Sequence, residues 1–362
     1  MKLRLRLVLE LERIRRINLK RIHPLQQLFW ESTLRCNVRC LHCGSDCLAD
    51  AAAPDMPAAD FLRVLDEEII PNTNPGEVMI VVSGGEPTMR RDLEEIGFEL
   101  RKRGFPWGMV TNGVALTESR FRNLRDAGMV SMAISLDGLE DDHNWMRGTK
   151  NAFAGAQRAI RLAVAERKRV LNEGGSYVFD VVTCVNRRNI HHLAEIRDYL
   201  IEQGVTAWRL FGIDPMGRAK DNPELLLTNE EFKQLLAFIR DTRQDGEILA
   251  KYSCEGFLGD WEGQVRDHLY QCGAGLTVAS ILIDGSISAC TSIRGKYYQG
   301  NIYKDHFWQV WENGFMSYRN RDWMRTKTPC NDCKMWRYCE GNGMHLRRED
   351  GSLMLCHYER SL

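Results

Sequence analysis

The chain has 362 residues, and its 49 Lys and Arg balance its 49 Asp and Glu, so the formal net charge is zero. This balance excludes a protein that coats nucleic acid nonspecifically, because phosphate neutralisation requires a basic excess. A hydrophobic fraction of 44%, with 9% aromatic residues, excludes wholesale disorder. The length predicts two or three domains, or one large barrel with an appendage.

Residues 1–27 are predicted to form a basic N-terminal arm. Residues 1–22 contain eight Lys or Arg and two Glu, without the uninterrupted apolar run of a signal peptide. Since no later segment approaches about 18 uncharged apolar residues, we expect no transmembrane segment and a cytoplasmic location. We expect the arm to pack on the body as a solvated helix or edge strand; the alternative is contact with a membrane surface or an acidic peptide.

Residues 28–245 alternate short apolar runs with longer amphipathic stretches, which predicts right-handed βαβ units and a parallel sheet. Six such units predict an α/β fold in the form of a partial (βα)6 TIM-like barrel, with its site at the carboxyl ends of the strands. The predicted strands are Leu28–Thr33, Val78–Ser83, Gly108–Thr111, Ser131–Leu136, Tyr177–Val185 and Ala207–Phe211.

Residues 246–362 are predicted to form a small, cysteine-rich C-terminal domain. Helical periodicity fades here, and the short apolar runs 277–283 and 286–289 flank an Asp284-Gly285 pair. Asp-Gly between two such runs is a strong β-hairpin signal. The concentration of cysteines indicates a domain organised by metal more than by a large core.

The twelve cysteines are clustered, whereas cysteines used as small core hydrophobes would be scattered. A reducing cytoplasm keeps such thiols available as metal ligands. Two groups contain ten of them: Cys36, Cys40, Cys43 and Cys47 near the N-terminus, then Cys272, Cys290, Cys330, Cys333, Cys339 and Cys356.

Cys36, Cys40 and Cys43 are separated by three and two residues, a spacing that allows three thiolates to bind one 4Fe–4S cube and leave its fourth iron open. Structural zinc is the competing interpretation, but such sites usually pair one CxxC with a second. Cys47 as a fourth ligand would close the cube, and we expect it not to be a ligand.

The region 28–245 resembles the radical S-adenosylmethionine (SAM) enzymes, whose CxxxCxxC signature follows the first barrel strand. Three further motifs lie at successive strand ends, GGEP at 84–87, TNG at 111–113 and SLDG at 135–138, and MRG at 146–148 follows the last of them. The resemblance implies that S-adenosylmethionine binds beside the cluster, with Glu86 and the backbone before it receiving the methionine ammonium. His42 is expected to pack near the adenine, and Asn186 is a weaker candidate. The implied cofactor-binding residues are Gly84, Gly85, Glu86, Pro87, Asn112, Ser135, Asp137, Arg147 and His42.

The C-terminal region resembles the SPASM extension of radical SAM enzymes that modify peptides or proteins, which implies one or two auxiliary iron–sulfur clusters. The resemblance assigns the distal cluster to Cys330, Cys333, Cys339 and Cys356. Cys272 and Cys290 match the proximal cluster, but Gly343 stands where relatives have a cysteine. Cys254 is therefore expected as a third proximal ligand, with His345 or substrate as the fourth.

These resemblances imply an enzyme that generates a 5′-deoxyadenosyl radical and oxidatively modifies, for example crosslinks, a peptide or small protein. They imply an external electron donor such as a flavodoxin or ferredoxin, and no nucleic acid partner. Thr291 replaces the Asp found in sulfatase-maturing relatives, which disfavours that activity. The alternatives are an iron–sulfur electron-transfer protein and a zinc-stabilised binding module. The sequence identifies no nucleophile or general base.

Overall fold

A single ten-stranded sheet organises the protein in a computed structural model, which describes residues 3–254, 256–293, 295–326 and 328–362. The strand order is β10-β9-β8-β1-β2-β3-β4-β5-β6-β7. The strands are β1 Gln27–Thr33, β2 Met79–Gly84, β3 Trp107–Thr111, β4 Met129–Ser135, β5 Val178–Val185, β6 Ala207–Gly212, β7 Leu249–Tyr252, β8 Val278–Ile281, β9 Ser286–Ser288 and β10 Gly300–Asn301.

The predicted α/β fold is confirmed, since all six expected strands are present and pair in parallel in chain order. The parallel part of the sheet is larger than six strands. β7 continues it beyond β6, and β8 pairs in parallel with β1, with Leu28 opposite Ala279. β7 has only four residues, too few to show a clear apolar period in the sequence, whereas β8 lies within the predicted hairpin run 277–283 and only its pairing with β1 was not expected.

At least one α-helix lies between each pair of successive strands from β1 to β7, as the βα alternation requires. On α6, the small residues Gly155, Ala156, Ala159 and Ala163 are buried, which allows close approach to the strand ends. The α-helices are α1 Leu3–Ile22, α2 Ala58–Val64, α3 Leu93–Lys102, α4 Glu118–Asp126, α5 Glu140–Arg147, α6 Ala152–Asn172, α7 Leu193–Glu202, α8 Asn229–Asp245, α9 Phe307–Asn313, α10 Met316–Arg319, α11 Trp336–Cys339 and α12 His357–Ser361.

The C-terminal region joins the sheet through the predicted hairpin. β8 and β9 are antiparallel, and the Asp284 carboxylate accepts a hydrogen bond from the Ser286 amide in the turn between them. Because β8 pairs with β1, the C-terminal region lies directly beside the strand that carries the first cysteine loop.

Helix α1 contacts the C-terminal region through its charged side. Arg16 is buried above the ring of Tyr270, and the Lys20 ammonium lies 2.6 Å from the Glu340 carboxylate. Leu7 and Leu11 lie on the opposite, exposed side. Among the described residues, no helix combines the length and hydrophobicity needed to cross a membrane.

Candidate active site and cluster-binding centres

The loop after β1 brings Cys36, Cys40 and Cys43 to the wall of one cavity at the carboxyl edge of the sheet. Its backbone is fixed by hydrogen bonds from the Arg39 and Leu41 amides to carbonyl oxygens at the end of α5. The end of α5, more than 100 residues further along the chain, therefore helps to hold the loop in the conformation in which the three thiols converge.

Two side-chain donors face sulfur atoms of this loop. The Asn112 amide lies 3.8 Å from Cys36 Sγ, and an Arg147 guanidinium nitrogen lies 3.6 Å from Cys40 Sγ. N–H groups directed at sulfur stabilise thiolates and tune bound clusters. Together with three convergent thiols, these donors fit a cluster that is bound through three cysteines.

The same cavity gathers most of the cofactor-binding residues predicted from the sequence. They come from the ends of four adjacent parallel strands, whose carboxyl ends share one edge of the sheet. Pro87 and Asp137 do not line the cavity; Pro87 follows Glu86 in the chain, and Asp137 pairs with Arg147. The predicted residues on its wall are His42, Gly84, Gly85, Glu86, Asn112, Ser135 and Arg147.

Gly84 and Gly85 allow the end of β2 to cross closely against the β1 loop. Gly84 has a positive φ of 124°, and a Cβ there would overlap the Thr33 carbonyl. A Cβ on Gly85 would overlap the Arg35 carbonyl. Only glycine fits at these two positions, because any side chain would collide with the β1 loop. Both glycines also line the cavity.

The carboxylate of Glu86 is fully buried and accepts four hydrogen bonds from the protein. One oxygen accepts from the Thr88 amide and from the hydroxyls of Thr88 and Thr111, and the other accepts from the Asn112 amide at 2.7 Å. Burial raises the pKa of Glu86, while these four donors oppose that rise. Three donors share one oxygen, whereas the other oxygen accepts a single hydrogen bond and has capacity for a second. These bonds give Glu86 a positioning role between the ends of β2 and β3; that it also receives the methionine ammonium stays a prediction.

Asp137 and Arg147 form a buried ion pair, with the Arg147 Nε 2.7 Å from a carboxylate oxygen of Asp137. The other oxygen accepts from the Cys184 amide. Burial raises the pKa of Asp137, but the Arg147 guanidinium, together with the nearby His42 and His143 and the Cys184 amide, holds that pKa below its ordinary value. Asp137 therefore orients Arg147, which lines the cavity; the geometry does not direct Asp137 at a ligand.

His42 has properties that suit packing against a ligand. Burial lowers the pKa of His42 to about 4, so its ring is neutral near pH 7. Its Nδ1 is buried and has no hydrogen-bond partner among the residues that the structure describes. A neutral ring with a spare polar atom on the cavity wall fits a nucleoside such as the adenosine of S-adenosylmethionine.

Arg218 is a site residue that the sequence analysis missed. It lies after β6 and donates from Nε to the Cys40 carbonyl at 2.8 Å and from a terminal nitrogen to the Cys47 carbonyl. Its amide also donates to the Cys43 carbonyl. The only sequence signal for Arg218 was a Gly-Arg pair beyond a strand end.

Asn186, the weaker candidate from the sequence, caps the turn after β5. Its side-chain oxygen accepts hydrogen bonds from the Arg188 and Asn189 amides.

Cys47 is buried and lies next to Cys43. The neighbouring Cys47 thiol lowers the pKa of Cys43, and the pKa of Cys47 itself is raised. Cys47 also lines the cavity, and its thiol donates to the Ser45 carbonyl at 3.9 Å. That Cys47 is not a ligand stays a prediction.

In the C-terminal region, the four predicted distal ligands line a single cavity of about 280 Å³. An Arg347 nitrogen donates to Cys330 Sγ at 3.1 Å. Four thiols around one cavity fit a closed 4Fe–4S cluster. The residues are Cys330, Cys333, Cys339 and Cys356.

The expected proximal ligands are distributed differently. Cys272 and Cys290 both lie near Tyr318, where each acts to raise the pKa of that phenol. Cys254 instead contacts Asp214 and His345. Gly343 has φ −65° and ψ 141°, a conformation that any residue adopts, so its backbone does not require glycine.

Comparison with known proteins gives the class. The model of the radical SAM superfamily matches residues 30–200. The AdoMet-dependent heme synthase of Methanosarcina barkeri is 25% identical over 332 residues, covering 86% of this chain and 89% of the relative. The PqqA peptide cyclase of Bradyrhizobium diazoefficiens is 26% identical over 314 residues, covering 84% of this chain and 77% of the relative.

Solved structures share the fold. The enzyme anSMEcpe with bound AdoMet and the Cp18Cys peptide superposes with a TM-score of 0.68 at 20% identity, covering 93% of this chain and 94% of that one. SuiB of Streptococcus suis with bound S-adenosylmethionine superposes with a TM-score of 0.67 at 17% identity, covering 89% of this chain and 73% of SuiB.

The protein is therefore a radical SAM enzyme, with the three-cysteine loop of that class at the carboxyl edge of its parallel sheet. More particularly, it carries a SPASM iron–sulfur cluster-binding domain, whose family model matches residues 272–334. Its cofactors are a 4Fe–4S cluster, S-adenosylmethionine and auxiliary iron–sulfur clusters.

Proposed function

We propose that the enzyme oxidatively modifies a peptide or small protein that binds between the three-cysteine loop and the SPASM region. One observation carries this proposal: a cavity of about 620 Å³ runs from Gly44 and Ser45 on the loop to Thr291 and His345 in the C-terminal region. A substrate in this cavity has access to both cofactor-binding regions.

When bound, the cluster and S-adenosylmethionine supply a 5′-deoxyadenosyl radical that removes a hydrogen atom from the substrate. The residues that would hold the cluster are Cys36, Cys40 and Cys43, and Arg147 and Asn112 direct donors at two of these sulfurs. The chain's own contribution is to bind and orient the reactants and exclude water.

The walls of the larger cavity suit an amphipathic chain. Met216 and Met344 provide flexible apolar surface, whereas Lys220 and Glu349 provide charges of both signs. Met-rich surfaces adapt to irregular partners. Structures of the same fold contain peptides, namely Cp18Cys on anSMEcpe and SuiA on SuiB, which supports a peptide substrate here.

A porphyrin is the second candidate substrate. The three relatives named AdoMet-dependent heme synthase each cover 86–91% of this chain and 86–91% of their own length. Those matches extend over both the barrel and the C-terminal region, so they favour a heme precursor as strongly as the peptide cyclase match favours a peptide.

The deciding experiment supplies both substrate classes to the reconstituted, reduced holoenzyme with S-adenosylmethionine. One arm co-expresses candidate partner peptides and measures their mass; loss of two hydrogen atoms is the expected result. The other arm supplies Fe-coproporphyrin III and measures heme formation. Heme formation without any change in the peptides would overturn the peptide proposal.

We also propose a cytoplasmic location and a flavodoxin or ferredoxin as electron donor. The twelve free cysteines support the location, and the need for an electron supports the donor.

A further inference from the structure

Three metal-ligating side chains of different chemistry meet outside both groups of clustered cysteines. Asp214 lies two residues beyond the end of β6, and Cys254 lies two residues beyond the end of β7, the neighbouring parallel strand. His345 reaches them from the short 3₁₀ helix Met344–Leu346. The topology therefore brings a carboxylate, a thiol and an imidazole together at the carboxyl edge of the sheet.

The distances between the three ligand atoms are nearly equal. Cys254 Sγ lies 3.5 Å from His345 Nε2 and 3.8 Å from a carboxylate oxygen of Asp214, and that oxygen lies 3.5 Å from the same Nε2. Ligands bound tetrahedrally to one zinc ion, with bonds of about 2.0–2.3 Å, are separated by about 3.3–3.6 Å. The three atoms thus form one face of a tetrahedron of the right size.

Charge and burial agree with this geometry. Cys254 is 5% exposed, and the side chains of Asp214 and His345 are 11% and 15% exposed. A thiolate, a carboxylate and a neutral imidazole carry two negative charges, which a divalent cation neutralises. Buried charges are costly unless they are offset, and a bound cation would offset these two together with the nearby Arg360 guanidinium.

We propose that Asp214, Cys254 and His345 bind a single divalent transition-metal ion, which this mixed S, N and O donor set identifies as zinc. Three protein ligands leave a fourth position for water or a substrate group. His345 also lines the 620 Å³ cavity, so that position lies beside the space proposed for substrate. The metal site itself does not depend on which substrate binds there.

This assignment replaces the expectation that Cys254 is a ligand of the proximal cluster. Donors that bind separate irons of a cluster are further apart than donors that share one ion. All three pairs here have the spacing of a shared ion, and Asp214 had no role in the predicted cluster. The competing explanation is a plain ion pair between His345 and Asp214 with the Cys254 thiol beside it.

The test uses the full-length protein after anaerobic reconstitution of its iron–sulfur clusters, with zinc added and excess metal removed. Zinc and iron are counted per chain, and the zinc coordination is measured by X-ray absorption. We expect about one zinc with one sulfur at about 2.3 Å and nitrogen or oxygen ligands at about 2.0–2.1 Å. Cys254→Ser and His345→Ala should each lower zinc occupancy by roughly tenfold or more while iron is unchanged. The control, His306→Ala at an exposed position, should retain the zinc.

Three results would overturn the proposal. Loss of about four irons in Cys254→Ser would show that this thiol binds a cluster. Zinc coordinated by sulfur alone would place the ion in a cysteine site elsewhere. A wild-type protein with its full iron content but without zinc would leave only the ion pair. Since iron content reports folding of the cluster domains, a misfolded variant would be recognised by loss of both metals.

Discussion

Replacing Glu86 by glutamine tests whether this residue positions the strand ends around the cofactor cavity. Glutamine keeps the size but replaces one acceptor oxygen with an NH₂ donor. In either orientation of the amide, that NH₂ faces a backbone N–H, either of Asn112 or of Thr88, because the two carboxylate oxygens of Glu86 accept from these two amides. A buried donor left unsatisfied costs about 1–3 kcal/mol.

The expected result is a local loss of stability at the ends of β2 and β3. Hydrogen–deuterium exchange of peptides covering Thr88 and Asn112 measures it directly, and a cost of about 1.4 kcal/mol corresponds to about tenfold faster exchange through local opening. S-adenosylmethionine affinity, measured on the reconstituted enzyme, should fall as a consequence of the displaced backbone.

Glu94→Gln is the matched control. Glu94 pairs with Arg120 at 2.9 Å, and both side chains are 22% exposed, so its loss should cost about 1 kcal/mol or less without a change in cofactor affinity. Unchanged exchange at Thr88 and Asn112 in Glu86→Gln, combined with weaker S-adenosylmethionine binding, would refute the positioning role. That outcome would mean that Glu86 contacts the ligand directly.

Three further predictions concern the site. Gly85→Ala should lower the iron bound by the three-cysteine loop, because the added Cβ would overlap the Arg35 carbonyl; iron analysis measures this loss. The control is Gly76→Ala, whose added Cβ would lie 3.5 Å from its nearest neighbour and should leave the iron content unchanged. Asp137→Asn should lower the free energy of unfolding, measured with denaturant, by about 3–5 kcal/mol, because it leaves the Arg147 charge buried without its partner. An unchanged unfolding midpoint would contradict the ion-pair assignment. Cys339→Ser should remove one auxiliary cluster, seen as a loss of about four irons with the other clusters retained.

The sequence was sufficient for the parts of the fold and site that depend on local pattern. Apolar runs separated by amphipathic stretches predicted the six central strands, and the resemblance to radical SAM enzymes implied which residues meet at their carboxyl ends. Cys36, Cys40, His42, Gly85, Asn112 and Ser135 meet there because parallel strands end at one edge.

The features that the sequence did not predict depend on contacts between distant segments. The addition of β8 beside β1 depends on a pairing across about 250 residues of chain, which no local pattern encodes. Arg218 and Asp214 are isolated polar residues in a loop, and their roles appear only when the end of β6 lies next to the cysteine loop and the C-terminal region. Likewise, a motif does not show that Glu86 accepts from the Thr111 hydroxyl or that Asp137 accepts from the Cys184 amide, contacts that connect these carboxylates to neighbouring strands.

The most direct test of the central claim is formation of 5′-deoxyadenosine from S-adenosylmethionine by the reduced, anaerobically reconstituted protein. The wild type should form it, and Cys40→Ala should not, because that substitution removes one of three thiols that converge on the cavity. Cys47→Ala, at the neighbouring thiol predicted not to be a ligand, should retain the reaction. Undiminished 5′-deoxyadenosine formation by Cys40→Ala would contradict the assignment of the three-cysteine loop as the radical-generating site.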